Sequence, residues 1–572
     1  MTDSFDVAII GGGPAGSTVG SILKKYDPSL KVAILERERF PRDHVGESLL
    51  PVVSKVLDEI GVWDKIEAAN FPIKIGATYR WGRTQDLWDF EFLPDGKLEP
   101  QPRPAKYTGQ RRSTAFQVDR AVYDKILLDH AASLGCEVRQ ETAVRTVLRE
   151  GDRVTGLGLD DGSKITACHY VDASGHAGIL RRTMGVSVDS PTALQNIAIW
   201  DYWKNAEWAV SIGVGGTRVQ VLSLPYGWIW FIPIGPDRTS IGLIVPAAYF
   251  KEQSKRPEEM YLEAVRSDPL VSRLIDGAVR ENRLSTTNDW SFVSERLTGE
   301  NWFLAGESAG FADPILAAGL SLAHLGSRDV AYVILALNRR DYEPEWLRNY
   351  YCSTHRNQIR QHIRFADFWY TANGVFSDLK DHAKQIAHEA GLEFTSDKAW
   401  QWLGQGGFIE RDSGTSLGGV GLLVTKQIIS SFTGDEQHYA IVGKSHFVLD
   451  ITGAEKDWTG YMRDGKITRL RMFRRDGKLL PMVSMVGWLA TFLKAERSFE
   501  ELVKAAQSYA MEIGQGGERF SGFRAELFAA LEGMVSDGWV KARTDPDAQA
   551  LPQALPDISR EVHPNRDIRS PV

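Results

Sequence analysis

The chain has 572 residues, which at about 150 residues per domain leads to an expectation of two to four structural units. Hydrophobic residues make up 43% and charged residues 25%, a balance that excludes a disordered, collagen-like or coiled-coil chain. The 67 basic and 74 acidic residues give a net charge of −7, which argues against non-specific nucleic-acid binding, so no nucleic-acid partner is expected. Residues 6–10 (DVAII) read as a buried strand that ends in Gly11-Gly12-Gly13-Pro14-Ala15-Gly16. A helix follows, then a second strand at 31–35 (KVAIL) ending at Glu36. Residues 70–110 lose helical period and are rich in Trp, Pro and Gly. Residues 120–134 read as a helix, and 137–173 as three or four strands with a turn at Asp160-Asp161-Gly162. The alternation across 190–295 predicts a second sheet, 301–339 returns to strand–turn–helix, and 336–391 reads as mainly helical.

Beyond about residue 395 the character changes. The glycines of 404–421 read as loop. Strand pairs are expected over 438–478, with hairpins at Arg463-Asp464-Gly465 and Arg475-Asp476-Gly477. Helices are expected at 483–493, 499–513 and 523–536, and Ser498 with Glu501 forms a capping box. Arg469, Arg471, Arg474, Arg475 and Lys478 make a basic ribbon, read as a solvated hairpin. The tail after Thr544 is rich in Pro and Asp and is expected to be mobile. Apolar runs fall short of the ~18–20 residues that span a membrane. No signal peptide precedes the first strand, and Cys136, Cys168 and Cys352 form neither a metal spacing nor a disulfide framework. A cytoplasmic chain with no membrane span and no metal site is expected.

Gly11-x-Gly13-x-x-Gly16 between a strand and a helix is a dinucleotide fingerprint. The first glycine allows a tight turn, the second lets a pyrophosphate approach the backbone, and the third lets helix and strand pack closely. The helix N-terminus, at Pro14 and Ala15, offers N–H groups to phosphates. Glu36, 20 residues after Gly16, sits where a carboxylate bonds ribose hydroxyls, with Arg37 beside it. A second turn, Phe303-Leu304-Ala305-Gly306-Glu307-Ser308-Ala309 with Asp313-Pro314 and Gly319, resembles the second FAD motif of the para-hydroxybenzoate-hydroxylase-like flavoproteins, with Glu307 in place of their Asp. Phe116-Gln117-Val118-Asp119-Arg120 and Val171-Asp172-Ala173-Ser174-Gly175 resemble two further elements of that family, in the right order.

Three segments resemble the flavin-dependent halogenases within that group. Arg42-Asp43-His44-Val45-Gly46-Glu47-Ser48-Leu49-Leu50-Pro51 is similar to their isoalloxazine-lining segment. Phe71-Pro72-Ile73-Lys74-Ile75-Gly76-Ala77 is similar to the segment with their essential lysine. Gly227-Trp228-Ile229-Trp230-Phe231-Ile232-Pro233 fits their Trp-x-Trp-x-Ile-Pro signature. The resemblance spans about residues 1–385 and is nearest to halogenases of phenolic or aliphatic natural-product precursors, such as the chloramphenicol-pathway enzyme.

The resemblance implies an α/β fold: a Rossmann-type FAD-binding domain with an inserted antiparallel substrate sheet, followed by a C-terminal α+β, winged-helix-like domain. The expected boundaries are 1–345 for the catalytic domain, with the substrate sheet at about 75–110 and 186–295. A helical segment follows at 346–395, then a C-terminal domain at 396–545 that is winged-helix-like from about 480, and a mobile tail at 546–572. It implies FAD held by Gly11, Gly13, Pro14, Ala15, Gly16, Glu36, Arg37, Gly46, Glu47, Ser48, Arg120, Gly306, Glu307, Pro314 and Gly319. Asp289 is a further candidate, as a hydrogen-bonding or covalent flavin ligand or as a plain turn cap. A halide is expected on the backbone of Ala318 and Gly319. Trp228, Trp230, Ile232 and Pro233 are expected to wall the flavin from the substrate, with Phe365 and Trp369 closing the pocket from a helix.

In this family reduced FAD and oxygen turn a halide into hypohalous acid, which travels through an internal passage to the lysine. Lys74 matches that lysine, although simple alternation puts it on the face opposite Ile73 and Ile75, as a surface lysine would be. Pro314-Ile315-Leu316-Ala317-Ala318-Gly319 departs from the tryptophan-halogenase pattern: Leu316 stands where those enzymes carry a catalytic Glu. The expected activity is FADH2-dependent halogenation, with chloride or bromide, of an electron-rich aromatic or enolic precursor that is free or carrier-tethered. Gly213-Val214-Gly215-Gly216 lacks a strand–helix setting, so a separate flavin reductase is the expected source of reduced FAD. The alternatives are an FAD-dependent hydroxylase of the same fold and a non-catalytic flavin-binding docking protein.

Overall fold

The uninterrupted apolar runs at Val7–Ile10 and Val32–Leu35 pair in parallel, and such strands require cover on both faces. The computed structural model, which describes residues 2–81, 86–93, 97–192, 195–371, 439–476, 478–514, 520–551 and 562–564, supplies that cover with helices Pro14–Tyr26, Arg120–Ser133 and Gly319–Arg339. Among the described residues this first sheet has seven strands, in the order Glu137–Arg139, Val32–Leu35, Thr2–Ile10, Lys164–Asp172, Arg153–Leu159 and Val144–Glu150, with Trp302–Leu304 also on Lys164–Asp172. The strands next to Thr2–Ile10 are parallel, and the last two are an antiparallel flap. This is the expected Rossmann-type core, including all four strands within 137–173.

A second sheet of ten described strands lies beside it, in the order Val279–Arg280, Gln195–Lys204, Arg238–Pro246, Gly227–Pro233, Gly216–Leu224, Ile73–Arg80, Leu87–Glu91 and Val562–Pro564, with Ser285–Trp290 and Ala115–Phe116 as side pairings. It is antiparallel except where Ile73–Arg80 meets Gly216–Leu224. Both faces are buried. Ile199, Leu222, Ile229, Phe231, Ile241 and Leu243 pack on one side against Met260, Tyr261, Val265 and Leu270. Residues 190–295 are therefore not all sheet, because helices Ala247–Gln253, Pro257–Ser267 and Pro269–Leu274 interrupt it. Asp268 caps the last of these by accepting from the N–H groups of Leu270 and Val271, both at 3.0 Å.

The C-terminal unit has its own core, which includes Leu489, Leu502, Phe523, Leu531 and Trp539. Helices Ser484–Phe492, Phe499–Glu512 and Phe520–Ser536 surround a small sheet ordered Arg497–Ser498, His446–Leu449, Val540–Arg543. The middle strand comes from upstream of the helices, so this unit draws one of its strands from earlier in the chain. The Ser498–Glu501 capping box forms as expected. The helix Phe520–Ser536 exposes Arg524 and Glu526, a mixed pair of charges.

The basic ribbon is not a solvated face. Arg469 pairs with Glu343 and lies over Trp346, 4.1 Å from its ring centroid. Arg475 donates to the carbonyls of Asp450, Thr452 and Gly538 and covers Trp539. Arg474, though exposed, pairs with Asp457, Lys478 donates to Asp537 O, and Arg471 is exposed as well. The hairpin Glu455–Arg463/Lys466–Arg475 drives its tip into the catalytic half, where Met462 and Ile467 join the core of the first sheet. Arg328 donates to Glu59 at 2.5 Å and to Met462 O at 3.0 Å, and Arg339 donates to Gly465 O at 2.7 Å. Val562–Pro564 of the tail pairs with Leu87–Glu91, whereas 372–438, including the glycine-rich stretch, lies outside the described residues.

Helix Gly319–Arg339 is the one described helix long and apolar enough to cross a membrane by length and composition, and 83% of its most apolar window is buried inside the protein. Its middle carries Arg328 and its last turn Arg339, so the grip on the hairpin runs from the edge of the core outward. Arg328→Met should leave the Glu59 carboxylate with the Tyr26 and Tyr332 phenols but without this cation, and cost about 2 kcal/mol of unfolding free energy, measured by urea titration. A loss under about 0.5 kcal/mol would show that the hairpin is held by its apolar tip alone.

Candidate active site

The nucleotide cradle is shaped by close approach. Gly11 has φ +104°, and a Cβ there would strike the carbonyl of Ala173; a Cβ at Gly16 would strike the carbonyl of Gly11. These two glycines are required by the fold itself. Gly13 is different: a Cβ there would meet only Arg42 Nη2, at 3.5 Å, an ordinary contact. The protein leaves that space open at the N-terminus of Pro14–Tyr26, as a pyrophosphate would need. Glu36 Oε2 accepts from Gly12 N at 2.6 Å and Oε1 from Glu38 N at 2.8 Å, so a buried carboxylate closes the turn with lone pairs to spare for ribose hydroxyls. Arg37 is exposed beside it. Gly306, with φ +61°, packs against Ala15 and brings the second turn onto the first. Glu307 Oε2 lies by Gly175.

Residues 42–50 cross the mouth of this cradle. Leu49 N donates to Phe116 O at 3.0 Å and Val118 N to Glu47 O at 2.7 Å. Arg120 pairs with Asp124 through two hydrogen bonds and donates from Nη1 to Val45 O and Gly46 O. Its guanidinium therefore shapes this segment from behind. Arg42 Nη1 pairs with Asp124 Oδ2 at 3.3 Å, but both oxygens of Glu47 and Ser48 Oγ are buried with no hydrogen-bond partner of good geometry. Ser240 and Tyr202 lie beside Glu47 close enough to favour its charged form, but burial dominates and raises its pKa to about 7. Unsatisfied donors and acceptors clustered along one segment fit a polar cofactor such as FAD.

Lys74 is buried, with 2% of its surface exposed. Thr217 pairs with Lys74 and Arg218 with Gly76, so Ile75 is an extra residue, a β-bulge. Beyond the bulge Ala77 pairs with Val219 and Tyr79 with Val221. Lys74 therefore shares a face with Ala77 and Tyr79, from which strict alternation would separate it. That face is the aromatic one, with Trp200, Tyr202, Trp228, Trp230, Ile232 and Val221. The Lys74 amine lies 5.5 Å from the centroid of Phe92, whose ring packs on the core of the first sheet. Burial alone lowers its pKa to about 7.

The turn at 313–319 meets this face. Ile315 and Leu316 belong to the same aromatic cluster. Asp313 accepts from Ile315 N at 2.9 Å, from Tyr370 Oη at 3.1 Å and from Asn196 Nδ2 at 3.2 Å, and burial raises its pKa. Trp228 Nε1 donates to Tyr370 Oη at 2.8 Å, and Tyr79 Oη donates to Ile315 O at 3.0 Å. Asp367, bonded by Thr192, is buried nearby with its pKa raised by burial. After Pro314, Ala318 and Gly319 open the 21-residue helix, whose positive end faces this turn. Ser321 Oγ, in its first turn, is buried without a hydrogen-bond partner.

Trp228, Trp230, Ile232, Ile315 and Leu316 thus share one buried cluster, and the strand register turns Lys74 to the same sheet face. Pro233 is buried at the end of the tryptophan strand. Asp289 lies on strand Ser285–Trp290, but its side chain, like those of Phe365 and Trp369, lies outside the described residues. Arg42 and Asp313 lie in segments that the resemblance already sets beside the flavin, whereas Tyr79, Asn196 and Tyr370 are not among the expected site residues. A bulge hides the facing of Tyr79, and Asn196 and Tyr370 contact the site only through tertiary packing.

An FAD binding domain family model matches residues 4–366. Tryptophan 2-halogenase of Chondromyces crocatus is 30% identical over 397 residues, 68% of this chain and 72% of that protein. The 1H-pyrrole-2-carbonyl-(peptidyl-carrier protein) chlorinase of Pseudomonas fluorescens is 33% identical over 391 residues, 66% of this chain and 86% of that protein. The crystal structure of CmlS, a flavin-dependent halogenase, aligns with a TM-score of 0.70 at 25% identity, over 96% of this chain and 98% of that one.

Gly13→Ala separates cofactor space from fold. The variant should keep the wild-type melting temperature without FAD yet lose FAD affinity at least about tenfold, read by flavin fluorescence. Unchanged FAD binding would mean that the space at Gly13 is not pyrophosphate space.

Proposed function

The chain belongs to the flavin-dependent halogenase family of FAD-dependent oxidoreductases, and we propose that it halogenates an electron-rich aromatic or enolic precursor with oxygen and chloride or bromide. The observation that carries this reading is the buried Lys74 amine on the sheet face shared with Trp228, Trp230 and the 313–319 turn. FAD in its reduced state, held by the Gly11–Gly16 turn, Glu36, the 42–48 segment and Gly306–Glu307, would supply the electrons with which oxygen oxidises halide. The N–H groups of Ala318 and Gly319, at the positive end of a long helix, would hold the halide.

With a pKa near 7, Lys74 is about half neutral at neutral pH. The free amine attacks the halogen of hypohalous acid: an N–halogen bond forms, the halogen–oxygen bond breaks, and water leaves with the amine proton. Trp228, Trp230 and Ile232 keep bulk water from that passage. Leu316 offers no carboxylate to take a proton from the substrate, which favours a phenol, pyrrole or enol over a less activated ring.

The names of two relatives support a carrier-tethered substrate: a chlorinase and a brominase of 1H-pyrrole-2-carbonyl-(peptidyl-carrier protein). A separate reductase as the source of reduced flavin is part of this proposal. Leu316 also keeps a second reading, hydroxylation by the same fold, because a carboxylate is missing where tryptophan halogenases have one.

Lys74→Met should retain FAD and give no halogenated product from a panel of phenols and pyrroles supplied with reductase and bromide, read by product mass. Halogenation that survives would refute the role of Lys74, and a hydroxylated product in its place would favour the second reading. Wild-type halogenation should rise with pH through about 7 as the amine becomes free. The same variant has a stability signature. The folded amine titrates near 7 and the unfolded one near 10.5, so between those values the unfolded chain binds the extra proton and wild-type stability rises with pH. The stability advantage of Lys74→Met should therefore shrink by about 2–3 kcal/mol from pH 6 to pH 9 in urea titrations. A constant difference would show that the lysine is not buried as a free amine.

A further inference from the structure

Ala317 is a non-glycine residue in the left-handed region, at φ +54°. An L-residue with a Cβ is disfavoured there, so an isolated Pro314–Gly319 segment would favour a different path. The path matters, because Ala317 directly precedes the N–H groups of Ala318 and Gly319.

Two phenols hold the turn from different elements. Tyr79, on the Lys74 strand and turned to the same face by the bulge at Ile75, donates to Ile315 O at 3.0 Å. Tyr370, on helix Pro344–Thr371, donates to Asp313 Oδ1 at 3.1 Å and accepts from Trp228 at 2.8 Å. Asp313 in turn caps the short helix Pro314–Leu316 through Ile315 N at 2.9 Å. These bonds all hold the stretch just before Ala317, at Asp313 and Ile315, and each is buried.

We propose that Tyr79 and Tyr370 are positioning residues that hold Ala317 in its left-handed conformation and so set the aim of the Ala318 and Gly319 N–H groups at a halide. The inference rests on the halide reading of that turn. It ties the halide donors to the two other parts of the site. Tyr79 fixes them to the lysine strand, five residues beyond Lys74, and Tyr370 fixes them to the tryptophan strand through Trp228. Neither phenol acts on substrate in this role.

The test uses the full chain loaded with oxidised FAD and titrates sodium bromide at constant ionic strength, following the flavin absorbance band. Tyr79→Phe and Tyr370→Phe should each retain FAD and raise the bromide dissociation constant about three- to tenfold, the effect of one neutral hydrogen bond. Ala317→Gly, which accepts φ near +54° without a Cβ clash, should bring affinity back toward wild type in either background. It should bind bromide at least as tightly as wild type when introduced alone. That rescue separates positioning from general destabilisation elsewhere in the chain, which a second substitution confined to the turn would not reverse. Should either tyrosine variant fail to fold, the other and the single Ala317→Gly chain still decide the matter. Wild-type affinity in the phenylalanine variants, or weaker binding by Ala317→Gly alone, would overturn the clamp. A wild-type enzyme whose spectrum does not respond to bromide, while it still halogenates, would overturn the halide turn and the clamp with it but leave the halogenase reading standing.

Discussion

Lys74 sits where strand Ile73–Arg80 carries one residue more than its neighbour Gly216–Leu224, and the surplus residue, Ile75, turns the lysine toward the aromatic side of the sheet. Nearly everything proposed for the site depends on that bulge. With strict alternation Lys74 would point with Gly76 and Thr78 toward the side where Arg218 meets Asp89 and Glu91, and would lie among buried charges. On the aromatic side burial is its one perturbing influence, and the amine is held near pH 7 by desolvation rather than by a carboxylate. A carboxylate partner would have had the opposite effect, fixing the ammonium and removing the nucleophile. The fold bears a cost of about 5 kcal/mol for this below pH 7, the size of a shift from 10.5 to near 7. Such a cost is tolerable only in a large core, and the cluster of Trp, Tyr, Val and Ile on the same sheet face is part of one.

Helix Gly319–Arg339 connects the regions that the chain keeps far apart in sequence. Its N-terminus closes the 313–319 turn. Its middle is buried against the first sheet and Pro14–Tyr26, where His324 sits between Thr18 and Tyr123 at 2.9 Å and 2.8 Å, with its pKa driven down to about 3 by burial. Its C-terminal half holds the hairpin of the last unit through Arg328, Tyr332 and Arg339. The same helix thus presents its positive end to the site, packs under the nucleotide cradle and anchors the C-terminal unit. The apolar composition that lets it pass for a membrane-spanning helix reflects this burial.

The sequence was most legible where a local rule had no competitor. The glycine fingerprint, the buried parallel strands, the four strands of 137–173, the capping box at Ser498 and the tryptophan strand all follow from spacing or residue type. What was hidden is tertiary. Alternation is a reliable guide until a bulge resets it, and nothing within Ile73-Lys74-Ile75 announces one. The helices within 247–274 were lost in a region read as sheet, although Met260, Tyr261, Ala264 and Val265 have helical spacing. The arginines of 469–475 read as a solvated ribbon because sequence shows charge but not the Trp346, Trp539 and carbonyl partners that receive it. Tyr370 and Asn196 reach Asp313 from residues 57 and 117 positions away, a distance over which no sequence pattern carries information. Trp81, which no local pattern sets near the site, is fully buried edge-on to Trp228, at 6.4 Å between centroids, whereas the side chain of Trp369 lies outside the described residues.

Leu316 gains its meaning from what surrounds it. A glutamate at that place would enter a cluster of Ile315, Tyr79, Trp228, Trp230 and Tyr370, and there a carboxylate would be driven toward its neutral form unless a donor met it. The donors at hand are already engaged: Tyr370 and Asn196 serve Asp313, and Tyr79 serves Ile315 O. The apolar leucine is therefore consistent with its setting, and the polar capacity of the turn is spent on its own backbone. A reaction in this space cannot draw on an anion at position 316 to share the charge that develops on the substrate. Under the proposed function the substrate would carry that charge on its own oxygen or nitrogen, which is the physical reason that reading favours phenols, pyrroles and enols over an indole ring attacked at an unactivated carbon.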